Sequence, residues 1–206
     1  VKKINVAGLI LAAGKSSRMG KDKLSIRLSN GRCIGEYAVR EALRSSLDHI
    51  YVVTKGIEHP IWLISLHNDM EDASKLTIVP CAEAERGMAF SIRGGMKRVL
   101  SEQADAVMII LADQPHINAQ MIDQIIQSYM RDSKLDFVAA SDNDVAKPPV
   151  LFPKHMYKSL MVLEGDQGAR KLLQSSHFHG RLINFPAHYF VDVDVPGDID
   201  LIERRG

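Results

Sequence analysis

Cysteine is nearly absent from this sequence. Cys33 and Cys81 are the only 2 in 206 residues, and they belong to no Cys-x-x-Cys pair. A disulfide framework or a zinc site has little support, so free, inert thiols are expected. An excess of one charge is missing too, since 26 basic residues face 25 acidic ones for a net charge of +1. A protein that coats nucleic acid carries a strong basic excess or a basic face, so a nucleic-acid partner is not expected. No apolar run approaches the ~18 residues of a membrane span, and the first residues lack the pattern of a signal peptide. The expectation is a cytoplasmic protein with no membrane partner. Linkers, repeats and low-complexity tracts are also missing.

What is present is 46% hydrophobic residues, enough for one α/β domain over residues 1–206. Short runs rich in Val and Ile, at residues 4–12, 49–54, 76–79, 106–112 and 136–140, read as strands apolar on both faces. Such strands belong in a covered, largely parallel sheet. Between them, residues 34–46, 59–68, 88–102 and 118–131 carry helix-spaced apolar positions, as in Ile122, Ile125, Ile126 and Tyr129, with Asn118 as an N-cap. This is the βαβ rhythm of an open sheet. After residue 140 the rhythm breaks at Asp142-Asn143-Asp144 and Pro148-Pro149. A strand at 149–152, a helix near 166–175 and strands near 181–185 and 188–193 are expected there. Ligands of such sheets sit at the carboxyl ends of the strands, which directs attention to the loops after residues 12, 79 and 112.

The first of these loops, in "NVAGLILAAGKSSRMGKDKLS", looks at first like a P-loop, but five residues separate Gly8 from Gly14 where a P-loop has four. Leu9, Ile10 and Leu11 suit a buried strand rather than a loop around an anion. The strand therefore runs through to Ala12 or Ala13, and a short cationic loop with Lys15, Arg18, Lys21 and Lys23 follows. Lys15 and Lys21 read as solvated. At the third loop, "AVMIILADQP" ends a buried strand in Asp113, with Pro115 fixing the turn. A carboxylate there is a turn former or a ligand for Mg²⁺ riding on phosphates. Met108 and Met121 read as core fillers. His177-Phe178-His179 lacks a third ligand and reads as a surface loop.

Taken together, the motifs carry a resemblance. "LILAAGKSSRMGKDKL" resembles the L-A-A/G-G-x-S-x-R-M/L-G-x-x-K signature of the MobA/MocA-like molybdenum cofactor nucleotidyltransferases. "LADQP" is similar to their L-x-D-x-P element, "ERGMAFSIRGG" to G-M-x-x-S-L/I, "EGDQGARKLL" to G-D-x-G-A-R, and "VDVDVPGDID" to the closing D-I-D-T-P-x-D. These matches run in order along nearly the whole chain, and the pattern is most similar to the MocA-like cytidylyltransferase branch, beside a bacillary purine-catabolism branch. The resemblance implies a Rossmann-like three-layer α/β/α sandwich with a mostly parallel sheet. It implies CTP and molybdopterin as substrates, Mg²⁺ as cofactor and an acceptor molybdoenzyme such as xanthine dehydrogenase.

Carried over by position, Arg18, Lys23 and Asp113 are the expected catalytic residues and Asp113 and Asp194 the metal ligands. The nucleotide would be held by Leu11, Ala12, Ala13, Gly14, Ser16, Arg18, Lys23, Pro80, Ser91 and Asp113. Arg18 matches the ligand of the outer phosphates, and Lys23 that of the α-phosphate. Asp192 and Asp194 would share one face of a strand. In the guanylyl branch a glycine precedes the signature glycine, whereas Ala13 stands here, which favours CTP over the larger GTP. Relatives commonly carry a Gly-x-P or His-P step where Lys147-Pro148-Pro149 stands, so the acceptor contacts are open. Asp166 and Arg170 are candidates for them, or pair with each other. The alternatives are guanylyl transfer, a sugar-phosphate acceptor, or a cofactor chaperone without catalysis.

Overall fold

The computed structural model describes residues 4–14, 22–56, 60–69, 73–166, 168–193 and 198. Among the described residues seven strands form one sheet: β1 (Val6–Ala12), β2 (His49–Lys55), β3 (Leu76–Cys81), β4 (Ala106–Leu111), β5 (Phe137–Asp142), β6 (Val145–Pro153) and β7 (Gly180–Asn184). Their order is β3-β2-β1-β4-β6-β5-β7, and all neighbours are parallel except β6, which runs against both β4 and β5. The helices are α1 (Ile34–Arg44), α2 (Ile61–Asp69), α3 (Met88–Ser101), α4 (Ala119–Arg131), α5 (Tyr157–Met161) and α6 (Arg170–Leu173).

The sheet is covered on both faces, as the doubly apolar strands require. Ile10, Val52, Met108 and Ile110 pack with Ile34, Val39, Leu63, Ile122 and Ile125 of α1, α2 and α4. Leu9, Val53, Val107 and Ile109 face the other way, against Ile92, Met96 and Val99 of α3 and Leu160 of α5. Helix α4 starts as expected, since Asn118 Oδ1 accepts from Met121 N at 2.9 Å. Met108 and Met121 are buried fillers.

Past β5 the structure corrects four expectations. Asp142-Asn143-Asp144 is not a break but the tight turn of a β5–β6 hairpin, with Asn143 and Asp144 at φ 48 and 60, which these residue types tolerate. Strand β6 is longer than residues 149–152, because a bulge against β5 lies between Ala139/Ala140 and leaves Pro148 and Pro149 outside the paired register, where no N–H is demanded of them. The helix expected near 166–175 shrinks to α6, because Gly165 and Gly168 at φ 71 and 53 turn the chain just before it. The strand expected at 188–193 is instead a 3-10 turn over Ala187–Phe190, opened by Pro186 and closed by Tyr189 N donating to Pro186 O, with Phe190 buried in the core. Among the described residues no helix is long and apolar enough to cross a membrane.

Candidate active site

Strands run outward from β1 in one direction to β2 and β3, then in the other to β4, so the switch point of the sheet lies between β1 and β4. Loops leaving two adjacent parallel strands in opposite directions open a crevice at their carboxyl ends. Lys23 follows β1 and Asp113 follows β4, and the crevice brings them together: Lys23 Nζ donates to Asp113 Oδ2 at 2.6 Å. Their side chains are 10% and 23% exposed. Each is held locally. Asp22 caps the short turn Lys23–Ser25 by accepting from Leu24 N at 3.2 Å, and Leu24 is buried in the core. Ala112 N donates to Leu11 O at 3.1 Å, which ties the Asp113 turn to β1.

Of the other residues expected to contact the nucleotide, Ala12 and Pro80 lie along the same edge. Ala12 pairs with Thr54 and Thr54 with Pro80, so β1, β2 and β3 present one row at their carboxyl ends. Pro80 is exposed and Ala12 half-buried, whereas Leu11 and Ala13 are buried in the layer beneath α3. Gly14 is exposed, its φ is not positive, and among the described residues a methyl added there meets no atom within 4 Å. Nothing in the described protein therefore demands glycine at this position. Ser91 is buried within α3. Ser16, Arg18 and Asp194 lie outside the described residues.

On the acceptor side, Asp166 and Arg170 do not share a helix, since α6 begins at Arg170, which removes the basis for the expected pairing. Asp166 instead lies against Gly87, whose added Cβ would come within 2.7 Å of Asp166 Oδ1, and a Cβ at Gly168 would strike Met88. The "ERGMAFS" and "EGDQGAR" motifs are thus two halves of one joint, and Ala89 N donates to Gly165 O at 3.1 Å across it. Lys147 Nζ sits 3.3 Å from Asp142 Oδ2 and 5.2 Å above the Phe190 ring.

Two residues escaped sequence reading. Thr54 is fully buried between Ala12 and Pro80, and its hydroxyl has no hydrogen-bond partner among the described residues. Gln114 is 3% exposed, and its Nε2 donates to Asp192 Oδ1 at 2.8 Å. Beside that bond, Val193 N donates to Asp113 O at 3.1 Å. A hydroxyl closing an apolar strand and an amide next to Asp113 were the available signals. Asp192 and Val193 form no strand, so the shared-face expectation for Asp192 and Asp194 loses its basis.

The shifted ionisable groups lie elsewhere. Burial pushes the Tyr51 hydroxyl up to about 12 and also raises the Cys33 thiol, which Glu36 pushes further. Cys33 and Cys81 are free and buried. The backbone N–H of His179 holds the Asp136 carboxyl below its ordinary value, at the amino end of β5. Among the described residues no group of three or more His, Cys, Asp or Glu could hold a metal ion.

Residues 8–181 match the model of the MobA-like NTP transferase domain. The chain belongs to this family. This MobA-like protein is a nucleotidyltransferase by kind, and it is 31% identical over 201 residues to the purine catabolism protein PucB of Bacillus subtilis, covering 96% of this chain and 95% of that one. It is 26% identical to a probable molybdenum cofactor guanylyltransferase of Thermococcus sibiricus, over 68% of this chain and 65% of that one. The fold of the MobA-like chain is shared with Rv0371c of Mycobacterium tuberculosis, at a TM-score of 0.76, 22% identity and coverage of 98% and 100%. A 4-diphosphocytidyl-2C-methyl-D-erythritol synthase from Anaerococcus prevotii superposes at a TM-score of 0.75 and 15% identity, with coverage of 98% and 97%.

Proposed function

We propose that this protein transfers CMP from CTP to the phosphate of molybdopterin and releases pyrophosphate. The observation that carries the reading is the Lys23–Asp113 pair at 2.6 Å in the crevice between β1 and β4. A cation fixed in a partly water-excluded crevice needs no reorganisation when negative charge grows on an α-phosphoryl group, and such preorganisation is what electrostatic catalysis requires. Lys23 would hold that group. Gly14, where an added methyl meets no atom of the described residues within 4 Å, would let backbone approach the phosphates, and Arg18 would hold the outer ones.

The donor set suits Mg²⁺, which takes one or two protein carboxylates and fills its shell with phosphate oxygens and water. Asp113 and Asp194 would hold it, and when bound it would neutralise charge on the phosphates. The acceptor's phosphate oxygen is ionised at neutral pH. It attacks the α-phosphorus in line as the bond to pyrophosphate breaks, so the protein has no proton to remove and needs no general base. The row Ala12, Thr54 and Pro80 would form the wall nearest the base, with the Ala13 methyl behind it. The expected place of action is the cytoplasm, with the product passed to a molybdoenzyme such as xanthine dehydrogenase.

Guanylyl transfer to the same acceptor is the second reading, favoured by the Thermococcus relative. Incubation with Mg²⁺, molybdopterin and each nucleoside triphosphate, followed by product mass, separates the two. A CMP adduct supports the first reading and a GMP adduct the second.

A further inference from the structure

Gln114 is buried beside Asp113, yet only half of its carboxamide is used. Nε2 donates to Asp192 Oδ1 at 2.8 Å, while Oε1 is buried with no partner among the described residues. A buried, unpaired acceptor costs about 1–3 kcal/mol, and an apolar residue of similar shape avoids that cost. Stability alone therefore does not account for an amide at this position. The donor half must supply something that leucine does not.

What it supplies is a tie between distant parts of the chain. Asp113 leaves β4, and residues 191–193 arrive after β7 and the turn Ala187–Phe190. Two hydrogen bonds fasten them side by side: Gln114 Nε2 to Asp192, and Val193 N to Asp113 O at 3.1 Å. Val193 is fully buried, which anchors the segment from the other side. The carboxylate proposed as the second metal ligand, Asp194, is the next residue in the chain.

We infer that Gln114 is a positioning residue, which sets the affinity of the site for the divalent cation by clamping the Asp192–Val193 segment to the Asp113 turn. The inference rests on the reading of this crevice as a nucleotide and metal site. Groups that orient metal ligands typically govern 10- to 100-fold in affinity. The bond can be broken from either end. Gln114→Leu removes the donor, Asp192→Ala removes the acceptor, and Asp192→Asn keeps an acceptor oxygen while removing the charge. Because Asp192 is exposed, its variants probe the clamp even where Gln114→Leu fails to fold.

The test is an electron paramagnetic resonance titration of Mn²⁺ into the 206-residue chain with CTP, and in a parallel arm GTP, without acceptor. Thermal melts run alongside. Gln114→Leu and Asp192→Ala should each weaken Mn²⁺ binding about tenfold or more, and Asp192→Asn should stay near wild type. Wild-type affinity in Gln114→Leu or in Asp192→Ala overturns the clamp. Equal loss in Asp192→Asn and Asp192→Ala also overturns it, because the Asp192 charge itself would then be what the cation needs. Absence of Mn²⁺ binding by the wild-type chain with either nucleotide overturns both the clamp and the reading beneath it.

Discussion

From β1 to β4 the sheet is parallel, and α1, α2 and α3 lie between its strands with 11, 9 and 14 residues. From β5 onward the chain makes a hairpin, reverses β6, and offers helices of only 5 and 4 residues. The first half builds its layers from local amphipathic patterns. The second depends on segments fitting one another, as where Gly180 lies under the Phe137 ring and the Ser141 hydroxyl donates to Asn184 Oδ1 at 2.8 Å. The crevice lies at the seam. Lys23 and Asp113 come from the first half, and the Asp192–Val193 segment that braces Asp113 comes from the second.

If Lys23 and Asp113 of the first half carry the chemistry together with Asp194, and the rest of the second half braces them, substitutions should separate the two. The largest effect is expected for Asp113→Ala and Asp194→Ala, each of which should bring turnover to background while thermal melts show a folded protein. Near wild-type rates at saturating Mg²⁺ in either variant would remove it from the metal site. Lys23→Ala should come next, with kcat lowered about 10²- to 10³-fold and the KM for nucleotide changed much less, because its contact strengthens as charge develops. A change confined to KM would make Lys23 a substrate clamp.

Packing separates the halves at a smaller scale. An added methyl at Gly95 of α3 meets Leu9 and Val53 behind β1 and β2, and one at Gly180 meets the Phe137 ring beneath β7. Each Ala variant should cost about 1–3 kcal/mol in urea unfolding. Gly95→Ala, which presses on the strand that leads into the nucleotide loop, should also weaken nucleotide binding, and Gly180→Ala should not. Equal effects on binding would dissolve the distinction. The smallest change is expected for Ala13→Gly. Shape discrimination of this size is worth ~1–3 kcal/mol, so the ratio of CTP to GTP turnover at equal subsaturating concentration should narrow without reversing. Because the Ala13 methyl is buried against the α3 layer, a small loss of stability should accompany it.

The same contrast explains what the sequence could disclose. Strands β1 to β5 and helices α1 to α4 were legible because their apolar spacing, and in α4 the Asn118 cap, act locally. The short C-terminal elements were not, since Gly165 and Gly168 turn the chain and delay the helix expected from residue 166, and Pro186 with the buried Phe190 overrides an alternating pattern. At the site, Lys23 and Asp113 were each visible through a motif. Their contact spans 90 positions, and no spacing rule reports it. Gln114 escaped sequence reading because its partner, Asp192, lies 78 positions away. Thr54 was hidden because its significance comes from the register of β2 with β1 and β3.

The most direct test of the central claim is the mass of the product formed from molybdopterin, Mg²⁺ and each nucleoside triphosphate in turn, measured beside the Asp113→Ala variant. We expect an adduct heavier than the acceptor by one CMP residue, with pyrophosphate released in equal amount, and none from the variant. An adduct of the same yield from Asp113→Ala, or no adduct from the wild-type chain with any nucleotide, would contradict it.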